Sequence, residues 1–387
     1  MSLWWTKKEQ LDQHQMQLIE NIPLRENALI LGPPGSGKTN VLLRRAQFVR
    51  GQNMPNVLVL TFTRPLTEFI KTGCYDANER EIFPVSCVNT LESWQRALYR
   101  QHQADLPQRT GDFIADKRRL AGGALALARR GRRPKYQALF VDESQDLLNE
   151  EVELLGAWSD VLFFVGDDRQ RIYDHNEGLA AVRSIPGLTE RALPFHYRVG
   201  PSICEAADRI LCSEGSSLAS TSHYTGPTPA RITVAPKALE KGAQIAATVE
   251  KLKQQTRVYA DFIRQGDRIG VVVPRVEDRS LVFDAFENDA ALHGKCKIMR
   301  AREQGEHGYD PSFDADTPIC ILSVKGCKGL EFRAVHWLFS DDLSHHYNDE
   351  HYYTVVTRAK TSLDILYTSE LPEALARAYA EPGVPPW

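Results

Sequence analysis

Apolar residues crowd into short runs along the first half of the chain. "NALILG" (27–32), "NVLVLTF" (56–62), "ALFVD" (138–142) and "VLFFVGD" (161–167) alternate with longer amphipathic stretches. A second set follows in the other half: "RIGVVVP" (268–274), "ICILSV" (319–324), "AVHWLF" (334–339) and "LDILYT" (363–368). Runs that are apolar at nearly every position predict strands buried on both faces, and the stretches between them predict covering helices. Each set therefore reads as one parallel sheet, and the fold class as α/β with two tandem domains, 1–194 and 195–387. The boundary is placed near "RALPFHYRVGPS" (191–202), between the two sets and marked by two prolines.

The third run ends in an anomaly. After Val141 come Asp142, Glu143, Gln145 and Asp146 within five positions. Adjacent carboxylates at the end of a buried strand repel one another and lose hydration. They form a solvated turn, or they hold something positive.

Composition narrows the classes. The 387 residues, 42% hydrophobic and 25% charged, suit a soluble globular protein, and the net charge of −3 gives no global basic footprint. Seven scattered cysteines without a CxxC pair argue against a zinc site or a disulfide framework and fit a reducing cytoplasm. The apolar runs are too short to span a membrane, and "MSLWWTKKEQ" lacks the apolar core of a signal peptide. One local patch stands out: residues 117–135, inside an insertion at about 95–136, carry eight Lys or Arg. That stretch reads either as a solvated helix-and-loop surface or as a nucleic-acid or partner contact.

The strongest signal is "LILGPPGSGKT" (29–39), an apolar strand followed by G-x-x-x-x-G-K-T. Gly32, Gly35 and Gly37, with Pro33, Pro34 and Ser36 between them, let the backbone curl so that its N–H groups face phosphate oxygens. The helix that follows turns its N-terminus to the same anion. Lys38 can reach the β- and γ-phosphates, and the Thr39 hydroxyl can ligate Mg²⁺. Behind such a loop the acidic cluster acquires a purpose: Asp142 suits the metal, and Glu143 suits a general base toward the attacking water. ATP and Mg²⁺ are thus the expected cofactors.

Further segments stand in order around these two: "LDQHQ" (11–15), "LTFTRPL" (60–66), "VNTLESW" (88–94), "GDDRQRIY" (166–173), "FHYRVG" (195–200), "SVKGCKGLEF" (323–332) and "YTVVTRAK" (353–360). Together they resemble the UvrD/Rep-like superfamily 1 helicases, from about residue 11 to residue 361. The resemblance implies two RecA-like P-loop domains with the ATP site in the cleft between them. It implies that Gln15 hydrogen-bonds adenine, that Tyr197 stacks on it, that Arg45 belongs to the nucleotide-binding set, and that Glu331 meets the ribose. Gln170 would sense the γ-phosphate, while Arg198 and Arg358 would reach it, Arg358 as the arginine finger. With Lys38 and Glu143 these three complete the catalytic set. Nucleic acid would be held by Phe62, Thr63, Arg64, Tyr173, His175 and Lys325.

Some positions depart from the family pattern. Arg64-Pro65 stand where Asn-Lys is usual, Glu92 and Lys325 where His is usual, and His175 where a Trp is common. The chain is also short. Only residues 95–137 separate "LESW" from "ALFVDE", which leaves little room for accessory domains. The expectation is a nucleic-acid-dependent ATPase that translocates 3′→5′ on single-stranded DNA, with a protein partner such as a nuclease, in DNA repair or anti-phage defence. Two alternatives stay open: an ATP-sensing regulatory subunit that gates a partner nuclease, and an RNA-directed helicase of the same superfamily.

Overall fold

A computed structural model describes residues 5, 8–76, 78–129, 136–169, 177–212, 217–300, 313–314 and 316–379. The chain forms two compact α/β units, one of residues 6–32 and 37–193, the other of residues 194–387 together with 1–5 and 33–36. The first unit contains β1 (Ala28–Leu31), β2 (Val57–Thr61), β3 (Val88–Thr90), β4 (Ala138–Val141), β5 (Leu162–Gly166) and β6 (Thr189–Ala192). They form one sheet in the order β3-β2-β4-β5-β1-β6, and every pairing is parallel. The second contains β7 (Arg231–Val234), β8 (Ile269–Val273), β9 (Cys296–Ile298), β10 (Ile319–Ser323), β11 (Phe332–Trp337) and β12 (Ala359–Ile365). Their order is β7-β12-β11-β8-β10-β9, again parallel throughout. The expected class, α/β with two parallel sheets, is the one observed.

The cores follow from the apolar runs. Residues of β2, β4 and β5 are buried at every position, which is what helices on both faces of a parallel sheet produce. On one face of the first sheet, Leu91, Trp94 and Leu98 recur at helical spacing along the helix Leu91–Gln101. They meet Leu120 and Ala124 of the helix Phe113–Arg129, and Val152, Leu155 and Trp158 of the helix Asn149–Trp158. Trp94 and Trp158 touch edge to face at 6.3 Å between centroids. In the second unit Ile269, Val271 and Val273 of β8 pack on Val282 and Phe286 of the helix Val276–Glu287.

Four of the eight cations in the basic stretch are described, and each has a carboxylate partner. Lys117 donates to the Asp146 carbonyl at 2.8 Å and pairs with Glu151 at 2.9 Å. Arg118 pairs with Glu150 and Glu177, and Arg119 with Asp116. Arg129 stands 3.6 Å from Glu153. These cations already have carboxylate partners on their own helix and on its neighbours. Residues 130–135 lie outside the described residues. Neutralising Arg118 and Arg119 together should leave the salt dependence of any nucleic-acid affinity unchanged, because no phosphate counterions are released through them. A flatter salt slope for the double alanine variant would restore the nucleic-acid role. Among the described residues, no helix is long and apolar enough to cross a membrane.

Candidate nucleotide site

β1 ends at Leu31 and the chain turns at once. Gly35 and Gly37 take φ of +74° and +84°, conformations that side chains disfavour. A Cβ at Gly37 would also come within 2.7 Å of Gln15 Nε2. The helix Lys38–Gly51 starts immediately after this turn. Lys38 folds back over the loop: its Nζ donates to the Gly32 carbonyl at 2.7 Å and lies 3.7 Å from the Asp167 carboxylate. One residue on, Thr39 Oγ1 donates to Asp142 Oδ2 at 2.8 Å. Two distant segments, the loop after β1 and the end of β4, are thereby joined by the pair of oxygens the sequence assigned to a metal.

Asp142 sits at the end of β4 with its N–H on the Leu60 carbonyl, and its Oδ1 accepts from the Glu143 N–H at 2.8 Å. Glu143 holds a left-handed backbone, φ +52°, ψ +44°. Gln145 Nε2 donates to Glu143 Oε2 at 2.5 Å, and Gln145 Oε1 accepts the Asp167 N–H at 3.1 Å. Asp142, Glu143 and Asp167 are all buried, with Lys38 the cation among them. Burial first, and the neighbouring Glu143 carboxylate second, push Asp142 up to about 7, against the pull of the Thr39 hydroxyl and Lys38. Burial likewise raises Asp167.

This arrangement fits a divalent cation. More buried carboxylate than buried cation is what a Mg²⁺ ion would offset. Among the described residues, no group of three or more His, Cys, Asp or Glu is placed to hold a metal. Mg²⁺ commonly takes one or two protein oxygens and completes its shell with waters and phosphates. A proton on Asp142 must leave before a metal can bind. Mg²⁺–ATP affinity should therefore rise as pH rises through the raised range of Asp142 and level off above it, with proton release on the acid side. Calorimetric heats at pH 6 in buffers of different ionisation enthalpy check this. Heats that do not depend on the buffer would count against it.

Other expected residues fall as follows. Gln15 is buried and shares a capping box with Asp12: the Gln15 N–H donates to Asp12 Oδ1, and the Asp12 N–H to Gln15 Oε1. Its amide nitrogen points toward Gly37. Arg45, expected among the nucleotide contacts, is 2% exposed and donates to the carbonyls of Ile19, Ile22 and Pro23. Burial lowers it to about 10. It acts as a strut behind the segment that carries Gln15, its guanidinium taken up by protein oxygens. The sequence reading also passed over Asn40. Both polar atoms of its carboxamide are buried without a hydrogen-bond partner among the described residues, directly after Thr39.

Phe62 lies under the Lys117 ammonium, 4.4 Å from the ring centroid. Thr63 caps the helix Arg64–Thr72 through Leu66 N–H, and Arg64 is exposed. Phe62 and Thr63 line a cavity of about 520 Å³ with Gln95, Lys117 and Glu151. Gln170, Tyr173 and His175 lie outside the described residues.

In the second unit, Glu331, Arg358 and Asp267 stand near the amino ends of β11, β12 and β8. Arg198 pairs with Glu331 at 2.7 Å. Burial raises Glu331, but Arg198 and Lys360 outweigh it and hold the carboxyl below its usual range. Arg358 is buried, with Nε on the Thr354 carbonyl, Nη1 on the Leu330 carbonyl and Nη2 on Thr357 Oγ1. Tyr197 meets His223 edge-on, and His223 stacks on Phe195 at 4.4 Å. Lys325 is exposed in the turn after β10. A further pair went unnoticed in the sequence. Asp267 accepts from Lys360 Nζ at 2.7 Å and from Arg333, and Lys360 also interacts electrostatically with Glu331.

Residues 15–176 match the family model of the AAA domain. No curated protein matches the chain. Among solved structures, it is similar to the PRRSV helicase at 15% identity and a TM-score of 0.43, over 91% of this chain and 54% of that one. It is also similar to the C-terminal domain of a possible DNA helicase from Lactobacillus plantarum WCFS1, at 17% identity and a TM-score of 0.32, over 47% of this chain and 93% of that one. The chain thus spans about half the length of the PRRSV helicase chain.

Proposed function

We propose that the chain is a helicase-type ATPase whose hydrolysis is driven by nucleic acid, of the UvrD/Rep-like superfamily 1 class, moving 3′→5′ on single-stranded DNA. One observation carries the ATPase reading. The phosphate loop, Thr39, Asp142, Glu143 and Asp167 converge from three strand ends, with Thr39 and Asp142 in direct contact. A solvated acidic turn would need no such convergence. The AAA-domain match over the same residues supports it. DNA as the polymer, the direction of travel and a protein partner rest on the motif resemblance.

The contacts of the site and the motif resemblance together support the following roles. The loop N–H groups and the start of the helix Lys38–Gly51 bind phosphate oxygens. Lys38 exchanges its carbonyl and carboxylate partners for the β- and γ-phosphates. Thr39 and Asp142 would hold Mg²⁺, which when bound neutralises charge on the phosphates. Glu143 orients the attacking water and takes its proton at a carboxylate oxygen. Arg198 and Arg358 supply positive charge to the γ-phosphoryl group as hydrolysis proceeds.

ATP turnover by the pure protein is the test, measured without polymer and with single-stranded DNA, duplex DNA or RNA. Stimulation chiefly by single-stranded DNA is the expected result. Stimulation by RNA alone would move the chain to the RNA-directed class. Tight ATP binding with no turnover under any condition would leave a nucleotide-sensing protein and overturn the motor reading.

A further inference from the structure

Gln145 sits in a short turn, Ser144–Asp146, directly after the left-handed Glu143. Its side chain is 4% exposed and touches both halves of the acidic site. The Asp167 backbone N–H can only donate, so the atom it meets must be Oε1. That fixes the amide, and Nε2 is left facing Glu143 Oε2 at 2.5 Å. A flipped carboxamide would set N–H against N–H and oxygen against carboxylate, losing both bonds at once. The turn itself is boxed in. A Cβ at Gly166 would lie 2.6 Å from Ser144 Oγ and 3.0 Å from Gln145 Oε1. One at Gly178 would lie 2.5 Å from the Ser144 carbonyl oxygen and 2.9 Å from that of Gln145. A side chain at either glycine would collide with the turn, so both positions keep it closely packed.

We propose that Gln145 is the positioning residue of the hydrolytic step, aiming the Glu143 carboxylate by a bond anchored on the Asp167 backbone. The proposal rests on the reading of Glu143 as the general base. Gln145 itself takes no proton and touches no phosphate. Its effect is geometric: one carboxylate oxygen is tied to the amide, so the other keeps a single direction. It also links the end of β4 to the end of β5, because a shift of Asp167 pulls on Oε1 and through it on Glu143.

Gln145→Met keeps length and apolar bulk but offers neither bond. It should lower the turnover number about 100-fold, the order that a misplacement of about 1 Å costs. KM and the affinity for a fluorescent ATP analogue should not move. Gln145→His retains one donor and one acceptor with nitrogen in the position of the Gln amide, and should restore most of the turnover. In a Glu143→Gln background, Gln145→Met should cost nothing further, because the group it aims is already disabled. Wild-type turnover in the Met variant would overturn the proposal. So would a further loss in the double variant, or parallel loss of nucleotide binding and turnover in both the Met and His variants. If the wild-type protein hydrolyses no ATP at all, the reading of the whole site falls, and this inference falls with it. The two failures are thereby told apart.

Discussion

Glu143→Gln turns the protein into an ATP trap. The substitution keeps the volume of the side chain and one acceptor oxygen, so the Gln145 contact survives through Nε2 of residue 145. It removes the oxygen lone pair basic enough to take a proton from water. A positioned general base contributes about 10²–10⁴-fold, and that is the loss expected in a single-turnover measurement. ATP affinity should hold or rise, since no phosphate contact is lost and one buried negative charge disappears from beside Asp142. Hydrolysis at the wild-type rate would remove Glu143 from the chemistry.

Arg358→Ala should cost about 10³-fold in turnover at nearly constant ATP affinity, the effect of an arginine that acts on the transition state rather than on bound ATP. The structure adds a second expected effect. The guanidinium ties the Thr354 and Leu330 carbonyls together, so its removal leaves buried acceptors unpaired. Lost hydrogen bonds to a charged group are worth about 1.5–3 kcal/mol each, so the variant should also melt earlier. Turnover must therefore be read well below the melting temperature, with folding checked by circular dichroism. A thousandfold loss in the folded variant marks the transition-state role. Equal losses in affinity and rate would mark an ordinary binding residue, and undiminished turnover would leave Arg358 a structural clamp.

The eight strands read from apolar runs all lie inside the two sheets. The four that escaped notice are β3, β6, β7 and β9, and these are the four edges. An edge strand is not flanked on both sides and is not fully covered. β6 is mostly exposed along its length, and β7 alternates exposed with half-buried positions. Their sequences, "TERA" and "RITV", carry no run to find. The site divides along a similar line. Gly35, Gly37, Lys38 and Thr39 form a contiguous motif whose chemistry is local, so it could be read in order. The strut made by Arg45 and the Asp267–Lys360 pair depend on partners 22 to 93 positions away along the chain. Nothing in the local pattern separates an arginine that meets phosphate from one that meets carbonyl oxygens. The pairing of the basic helix was hidden for the same reason, since Glu150, Glu151 and Glu177 reach Lys117 and Arg118 only once the chain is folded.

The left-handed backbone at Glu143 sets stability against activity. A residue other than glycine held in that conformation costs on the order of 1–3 kcal/mol, and the rest of the turn must sustain it. Glycine or asparagine would sit there with less strain. Selection for a more robust fold alone would thus drift toward replacing the carboxylate proposed as the general base. Libraries of this chain screened only for thermal resistance should enrich inactive proteins at position 143, and screening for turnover should exact a lower melting temperature in return.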